Sequence, residues 1–170
     1  LFRSKSTLIA AFADSVCKNN GKVLYCAFEE APKQIIRNME TIGFNLNKHI
    51  DDGNLHFYYS RPTLQNLELH LIAIGKIIKE HNSSVVVLDP ITNIMYEDIN
   101  SDMRTMLIRF IDFLKLEQIT VMLTATVTTT SLQLIQSHEG ISSIVDGCIM
   151  IEEKYIKDSH RKFLYIMKSR

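Results

Sequence analysis

The sequence predicts an α/β domain with a mainly parallel β-sheet that is flanked by helices and ends in an antiparallel edge hairpin. Segments with helical spacing of apolar residues alternate with strand-like segments, which is the pattern of such domains. The strand-like segments "VLYCAF" and "VVVL" are short and continuously apolar, as strands buried on both faces are. A short polar stretch joins the last two strand-like segments, which predicts the hairpin.

Each element has its own local signals. An Ala-rich helix over Leu8–Cys17 ends before Asn19-Asn20-Gly21, which is a common helix stop. A helix over Glu30–Ile42 carries Pro32 in its first turn, where proline is tolerated, and Gly43 just after its end. The other predicted elements are strands at 22–28, 55–60, 83–90 and 119–126, helices at 64–80 and 102–116, and hairpin strands at 147–153 and 162–168.

Composition narrows the class of protein. The chain has 19 Lys plus Arg and 19 Asp plus Glu residues, so no net charge draws it to DNA or to an anionic membrane. Its three cysteines are widely spaced and form no C-x-x-C pair, which argues against a disulfide framework or a zinc site. Because no apolar run has the length of a membrane span and no signal-peptide pattern begins the chain, we expect a cytoplasmic protein without a membrane partner.

In parallel sheets, ligands bind beyond the carboxyl ends of the strands, so the residues there are the first candidates for function. Glu29 and Glu30 follow the strand "KVLYCAF" directly. One of these carboxylates could act as a general base on an attacking water. The alternative interpretation is that one of them caps the next helix and complements its dipole.

Asp89 ends the strand "VVVLD", which has the form of a Walker B motif. In that motif a buried strand holds an aspartate that orients Mg²⁺. The alternative is an ordinary strand followed by an Asp-Pro turn. At the next strand end, the hydroxyl of Thr124 or Thr126 could sense a γ-phosphate, although threonine also simply favours strands.

The stretch "RSKST" before the first predicted helix has the pattern of the end of a phosphate-binding P-loop. In such loops the lysine reaches the β- and γ-phosphates, and the next hydroxyl binds Mg²⁺. Lys5 and Ser6 fit these two positions, whereas Ser4 stands where the pattern has glycine. The tripeptide Lys-Ser-Thr is common, but its order with the glutamate pair and the aspartate-ended strand makes a nucleotide site the better interpretation.

With these residues in place, the sequence resembles the KaiC family of RecA-like P-loop ATPases. The resemblance extends over nearly the whole chain, and it is closest to the first, ATPase-dominated domain of the family's duplicated pair. It implies one RecA-like ATPase domain over residues 1–170, without the first strand and most of the P-loop. The stretches that carry it are "LYCAFEEAPKQIIRNMETIGFNL", "RPTLQNLELHL", "VVVLDPITNIM", "IRFIDFLKLEQIT", "GISSIVD" and "LYIMKSR".

The resemblance also implies residue roles and cofactors. Lys5, Ser6 and Thr7 correspond to the nucleotide-binding lysine and the hydroxyl residues beside it. Asp89 matches the Walker B aspartate, so Ser6 and Asp89 are the expected Mg²⁺ ligands. The cofactors implied are ATP and Mg²⁺, and the activity implied is ATP hydrolysis.

Glu29 and Glu30 match the family's catalytic glutamate pair, of which Glu30 is the better candidate for the base. Lys168 and Arg170 match residues that reach the nucleotide of a neighbouring subunit, where an arginine neutralises developing charge. That role requires a head-to-tail ring, which the family forms as a hexamer. Other clock or signalling proteins are further partners that the resemblance implies.

Three alternatives stay open at this point. Phe2 and Ser4 occupy glycine positions of the family loop, which favours a degenerate, non-hydrolysing scaffold or partner-binding module. Ser142 and Ser143 lie where the family's second domain is autophosphorylated, which suggests an autokinase, although Ser142 is better explained as a local cap. A DNA-handling relative is disfavoured, because residues 116–153 contain no Lys or Arg to bind phosphates.

Overall fold

The computed structural model describes residues 3–61, 66–93, 101–126, 145–156 and 159–169. The chain divides into two compact units, Leu1–Thr126 and Val127–Arg170. The first unit holds a four-stranded sheet and its helices, and the second holds a two-stranded sheet. None of the described helices is both long and apolar enough to cross a membrane.

The first unit is built on a parallel sheet with the strand order β2-β1-β3-β4. Its strands are β1 (Val23–Ala27), β2 (Leu55–Tyr59), β3 (Val85–Asp89) and β4 (Thr120–Leu123). Its helices are α1 (Arg3–Lys18), α2 (Pro32–Glu40), α3 (Leu46–Asp51), α4 (Leu67–His81) and α5 (Ser101–Leu116), with a short 3₁₀ helix over Ile91–Asn93. The predicted α/β class with a parallel sheet and flanking helices is therefore confirmed.

The two central strands are the most deeply buried part of the unit. Every residue of β1 and of β3 is buried, whereas the outer strands β2 and β4 are partly exposed. This agrees with the continuous apolar runs that mark these two strands in the sequence. In the register of the sheet, Ala27 lies opposite Asp89, so β1 and β3 end side by side.

Several helix boundaries differ from the predicted ones, most clearly those of α1 and α2. α1 begins at Arg3 instead of Leu8, because its polar first turns carry no apolar periodicity that a sequence pattern could detect. α2 begins at Pro32 instead of Glu30, because the residue before a proline avoids helical geometry, and Ala31 is extended. It ends at Glu40, and Gly43 follows with a φ of +93°. The short α3 was not predicted, since six residues are too few to show a period.

The second unit contains the hairpin strands β5 (Cys148–Ile156) and β6 (Ser159–Lys168), which pair antiparallel as predicted. Both strands are longer than the apolar pattern indicates, since most of the predicted polar connection is paired. Cross-strand contacts hold this part together: the rings of the opposed residues Tyr155 and His160 lie 5.1 Å apart, and Glu153 lies 3.3 Å from His160, its diagonal neighbour. The placement of this hairpin at an edge of the parallel sheet stays a prediction.

A buried polar contact joins α1 to α3 in the first unit. The Asp14 carboxylate accepts a hydrogen bond from His49 at 2.8 Å and lies 2.7 Å from the ammonium of Lys18. Asp14 and His49 are almost fully buried, whereas the Lys18 side chain is 63% exposed. Asp14 therefore stabilises the packing of the two helices mainly through His49.

We expect Asp14→Ala to lower the free energy of unfolding by about 3 kcal/mol, because it leaves the buried His49 without its carboxylate partner. Lys18→Met is the matched control and is expected to cost less than about 1 kcal/mol, since that partner is exposed. Urea unfolding measures both values. Equal losses of unfolding free energy in the two variants would show that the buried contact stabilises the fold no more than the exposed one does.

The same contact has a defined pH dependence. Burial opposes ionisation, but the hydrogen bonds from Lys18 and His49 outweigh it and hold the pKa of the Asp14 carboxyl below its ordinary value of 3.8. A carboxyl whose pKa is lower in the folded state than in the unfolded state stabilises the fold fully above its unfolded-state pKa. This stabilisation is lost as the pH falls through the folded-state pKa. The difference in the free energy of unfolding between the wild type and Asp14→Ala should therefore be smaller at about pH 3 than at about pH 5.

Candidate functional site

A cleft opens where the strands β1 and β3 end. The described residues that line it come from five segments, namely the start of α1, the turn after β1, α2, the end of β3 and the segment after β4. The structure thus brings Lys5 to the same cleft as Glu30 and Asp89, as the order of the three motifs along the sequence predicts. Among the residues that the structure describes, its lining consists of Lys5, Ser6, Glu29, Glu30, Ile35, Asp89, Pro90 and Thr126.

Asp89 is the most deeply placed charge of the cleft. Only 8% of this residue is exposed, and each of its two carboxylate oxygens accepts a hydrogen bond from a hydroxyl. Tyr25 donates one bond at 2.5 Å, and Thr124 donates the other. Burial, followed by the nearby charge of Asp89, raises the pKa of the Tyr25 phenol well above its ordinary value, so the phenol stays protonated and donates.

Two of these contacts could not be anticipated from the sequence. An aromatic residue within a buried strand is typical of a core position, and Tyr25 carries no signal that points to Asp89. Thr124 stays a candidate γ-phosphate sensor, and its hydroxyl donates to Asp89, a contact that no motif indicates. Thr126, two residues further along, does line the cleft.

Lys5 lies in the first turns of α1 and extends its ammonium toward the end of β4. Its Nζ donates to the carbonyl of Ala125 at 2.9 Å and to the hydroxyl of Thr126 at 3.2 Å. Burial lowers the pKa of Lys5, and the charges of Asp89 and Glu29 oppose this shift. The ammonium therefore lies in the field of two carboxylates at the positive end of a helix.

The glutamate pair lies in the turn between β1 and α2, outside the helix. Glu29 is exposed, whereas Glu30 is half-buried and accepts a hydrogen bond from Asn38 of α2 at 3.3 Å. The N-cap position of α2 is Ala31, whose side chain makes no capping bond. Helix capping thus does not explain the glutamates, and Glu30 is held toward the cleft by Asn38, a residue that the sequence did not single out.

The hydroxyl residues beside Lys5 differ in position. Ser6 lines the cleft, whereas Thr7 is half-buried in α1 and is not among the described residues that line it. Ser4 is the second residue of α1 and adopts the helical backbone that serine tolerates, so no positive φ calls for glycine there. Phe2 lies outside the described residues.

The other candidate residues belong to the second unit. Lys168, at the end of β6, donates from Nζ to the carbonyl of Val145 at 2.7 Å. Arg170 and the two serines Ser142 and Ser143 lie outside the described residues. The role of Lys168 and Arg170 toward a neighbouring subunit stays a prediction.

The lining of the cleft suits a hydrated Mg²⁺ ion and a polyphosphate. Mg²⁺ prefers oxygen ligands, keeps several waters, and is commonly held by one or two protein oxygens together with substrate phosphates. Ser6 and Asp89 supply a hydroxyl and a carboxylate within one cleft. The donor set of these residues therefore fits Mg²⁺, and Lys5 adds a cation for a phosphate.

Comparisons with known proteins agree with this site. A family model described as "ATPase: KaiC" matches residues 3–170. The circadian clock protein KaiC2 of Synechocystis sp. is 36% identical over 167 residues, which cover 98% of this chain and 29% of that protein. KaiC3 of the same organism is 26% identical, with 98% of this chain and 33% of that protein covered.

The circadian clock oscillator protein KaiC of Acaryochloris marina is 27% identical over 168 residues, with 98% of this chain and 32% of that protein covered. The chain thus spans about a third of the length of the curated relatives that it matches. The family model matches nearly all of this chain, and its description agrees with a site that suits nucleotide binding. On this match, the chain belongs to the KaiC ATPase family.

Proposed function

We propose that this chain binds Mg²⁺–ATP in the cleft at the carboxyl edge of its parallel sheet and hydrolyses the ATP. The observation that carries the proposal is the convergence of Lys5, Glu30 and Asp89 on one cleft from three separate segments. Each has the chemistry that the corresponding step needs, namely a cation for phosphate, a base for water and a carboxylate for Mg²⁺.

In the proposed reaction, Glu30 orients a water whose oxygen attacks the γ-phosphorus. A new oxygen–phosphorus bond forms, the bond to the β,γ-bridging oxygen breaks, and ADP leaves with the electron pair. The proton of the water passes to the Glu30 carboxylate. Asn38 holds one oxygen of that carboxylate, which leaves the other to face the water. Glu29 is exposed and supports Glu30 through its charge.

The charge of the cleft supports the proposed need for Mg²⁺. Among the described lining residues, one ammonium faces three carboxylates, those of Glu29, Glu30 and Asp89. A bare triphosphate is repelled by such a cleft. Bound Mg²⁺ supplies the compensating charge on the phosphates, and Ser6 and Asp89 are the residues that would hold it. Thr7, which follows Ser6 in α1, stays a predicted nucleotide-binding residue.

Among the described lining residues, Lys5 is the one cation, which supports a site that a neighbouring subunit completes. We propose that residues 1–170 act as one ATPase domain within a hexameric ring, and that Lys168 and Arg170 of each subunit reach the nucleotide of the next. The matched relatives are named circadian clock proteins, so a clock or signalling partner in the cytoplasm is part of the proposal. The proposal includes neither a DNA nor a membrane partner.

Two other outcomes are distinguishable. The first is a scaffold that binds no nucleotide, which a calorimetric titration with Mg²⁺–ATP that gives no heat would establish. Transfer of the phosphoryl group to Ser142 or Ser143 instead of water would make the chain an autokinase. A mass increase of one phosphate after incubation with ATP identifies that outcome.

Two variants separate binding from chemistry. Lys5→Ala is expected to weaken Mg²⁺–ATP binding by about tenfold to a hundredfold, because it removes a charge-assisted phosphate contact. Glu30→Gln is expected to leave binding within about threefold but to lower kcat by about 10² to 10⁴, as loss of a general base does. Calorimetry and a phosphate-release assay measure the two effects.

The matched controls lie away from the cleft. Lys76→Ala removes an exposed lysine of α4, and Glu40→Gln neutralises the exposed last residue of α2. Both should bind and hydrolyse ATP as the wild type does. The proposal is wrong if Glu30→Gln keeps the wild-type kcat, or if Lys5→Ala and Lys76→Ala bind Mg²⁺–ATP equally well.

Subunit mixing tests the site between subunits. Glu30→Gln and the double variant Lys168→Ala/Arg170→Ala should each be inactive alone. In an equimolar mixture, random assembly gives about a quarter of interfaces that join an intact cleft to an intact neighbour. ATP hydrolysis should therefore recover to about a quarter of the wild-type rate. No recovery on mixing would contradict a contribution from the neighbouring subunit.

A further inference from the structure

We infer that the hydroxyls of Tyr25 and Thr124 are positioning groups that hold the Asp89 carboxylate in the orientation in which it receives Mg²⁺. The inference rests on the proposed function and assigns two residues that act through Asp89 without touching the nucleotide. It is argued from the contacts of each hydroxyl and from the acceptor capacity of the carboxylate.

Tyr25 reaches Asp89 diagonally across the two central strands. In the parallel register Tyr25 lies opposite Val87, so Asp89 is two residues further along β3 on the same face. The phenol is fully buried, and its oxygen lies 2.5 Å from Oδ2 of Asp89. A hydroxyl has one proton to donate, and this contact uses it.

The ring of Tyr25 is fixed from the neighbouring strand. Phe57 of β2 packs on it with ring centroids 5.1 Å apart and an interplanar angle of 33°. Close packing of this kind restricts a side chain to one rotamer. The phenol oxygen therefore has a fixed position relative to β3, instead of following the carboxylate as Asp89 turns.

Thr124 is fixed by its backbone. Its N–H donates to the carbonyl of Leu88 at 3.1 Å, and its carbonyl accepts from the N–H of Ile91 at 2.8 Å. The threonine is thus tied to the residues on both sides of Asp89, and its hydroxyl donates to Oδ1, the oxygen that Tyr25 does not contact.

The two bonds together restrain the carboxylate plane. Each carboxylate oxygen has two lone pairs, so one acceptor direction on each remains for a metal or its waters. Rotation of the carboxylate about its Cβ–Cγ bond lengthens both hydroxyl contacts at once. Asp89 is therefore presented to the cleft in a single orientation, which is the usual role of outer partners of a metal ligand.

The test is the Mg²⁺ concentration that gives half-maximal ATP binding, measured by calorimetry at fixed ATP. Tyr25→Phe keeps the ring and removes only the hydroxyl, and we expect it to raise this concentration about tenfold. Affinity for ATP at saturating Mg²⁺ should stay within about twofold of the wild type. A purely structural role predicts a lower Tm with no change in the Mg²⁺ midpoint.

Matched variants complete the experiment. Tyr58→Phe makes the same change in β2, where the phenol is hydrogen-bonded to His70 at 2.9 Å, and it should keep the wild-type Mg²⁺ midpoint. Thr124→Val should raise the midpoint as Tyr25→Phe does, whereas Thr124→Ser, which retains the hydroxyl, should restore it. The threonine pair decides the question if Tyr25→Phe does not fold.

The outcomes separate the two proposals. If the wild type binds no Mg²⁺–ATP, the proposed function is wrong and this inference falls with it. If the wild type binds Mg²⁺–ATP but the hydroxyl deletions leave the Mg²⁺ midpoint unchanged, the proposed function stands and the positioning role is wrong.

Discussion

The buried carboxylate of Asp89 constrains the whole carboxyl edge of the parallel sheet. A charge at the end of a fully buried strand costs free energy unless donors compensate it. Tyr25 of β1 and Thr124, which follows β4, donate to Asp89 from the two sides of β3. The three strands must therefore be aligned so that both hydroxyls reach the carboxylate. Parallel pairing of β1, β3 and β4 meets that requirement. The cleft is thus a consequence of how the sheet stabilises one charge.

The position of Asp89 also bears on Lys5, the cation of the described site. Lys5 approaches the same edge from α1 and bonds to Ala125 and Thr126, the residues directly after Thr124. Its ammonium therefore lies in the field of Asp89, whose carboxylate oxygens accept hydrogen bonds from the two hydroxyls. A phosphate group can compete for Lys5, because the carbonyl and the hydroxyl that it now contacts are neutral partners.

Sequence patterns predicted the fold well, because its strands and helices are marked by the spacing of apolar residues along the chain. The buried strands, their order along the chain and the final hairpin all leave apolar runs or turn residues that can be read directly. Boundaries were less predictable, as for α1, whose polar first turns face the cleft and carry no period. In the site, Lys5, Glu30 and Asp89 follow from their motifs. Tyr25 and Asn38 do not, because their roles arise from side-chain contacts between separate elements.

The central claim is that the cleft around Asp89 is a Mg²⁺–nucleotide site. A crystal structure of the chain with Mg²⁺ and a non-hydrolysable ATP analogue tests it most directly. We expect the γ-phosphate within hydrogen-bond distance of the Lys5 ammonium and the metal between Ser6 and Asp89, with Tyr25 and Thr124 still bonded to the carboxylate. An analogue bound away from this cleft, with Lys5 still bonded to Ala125 and Thr126, would contradict the claim.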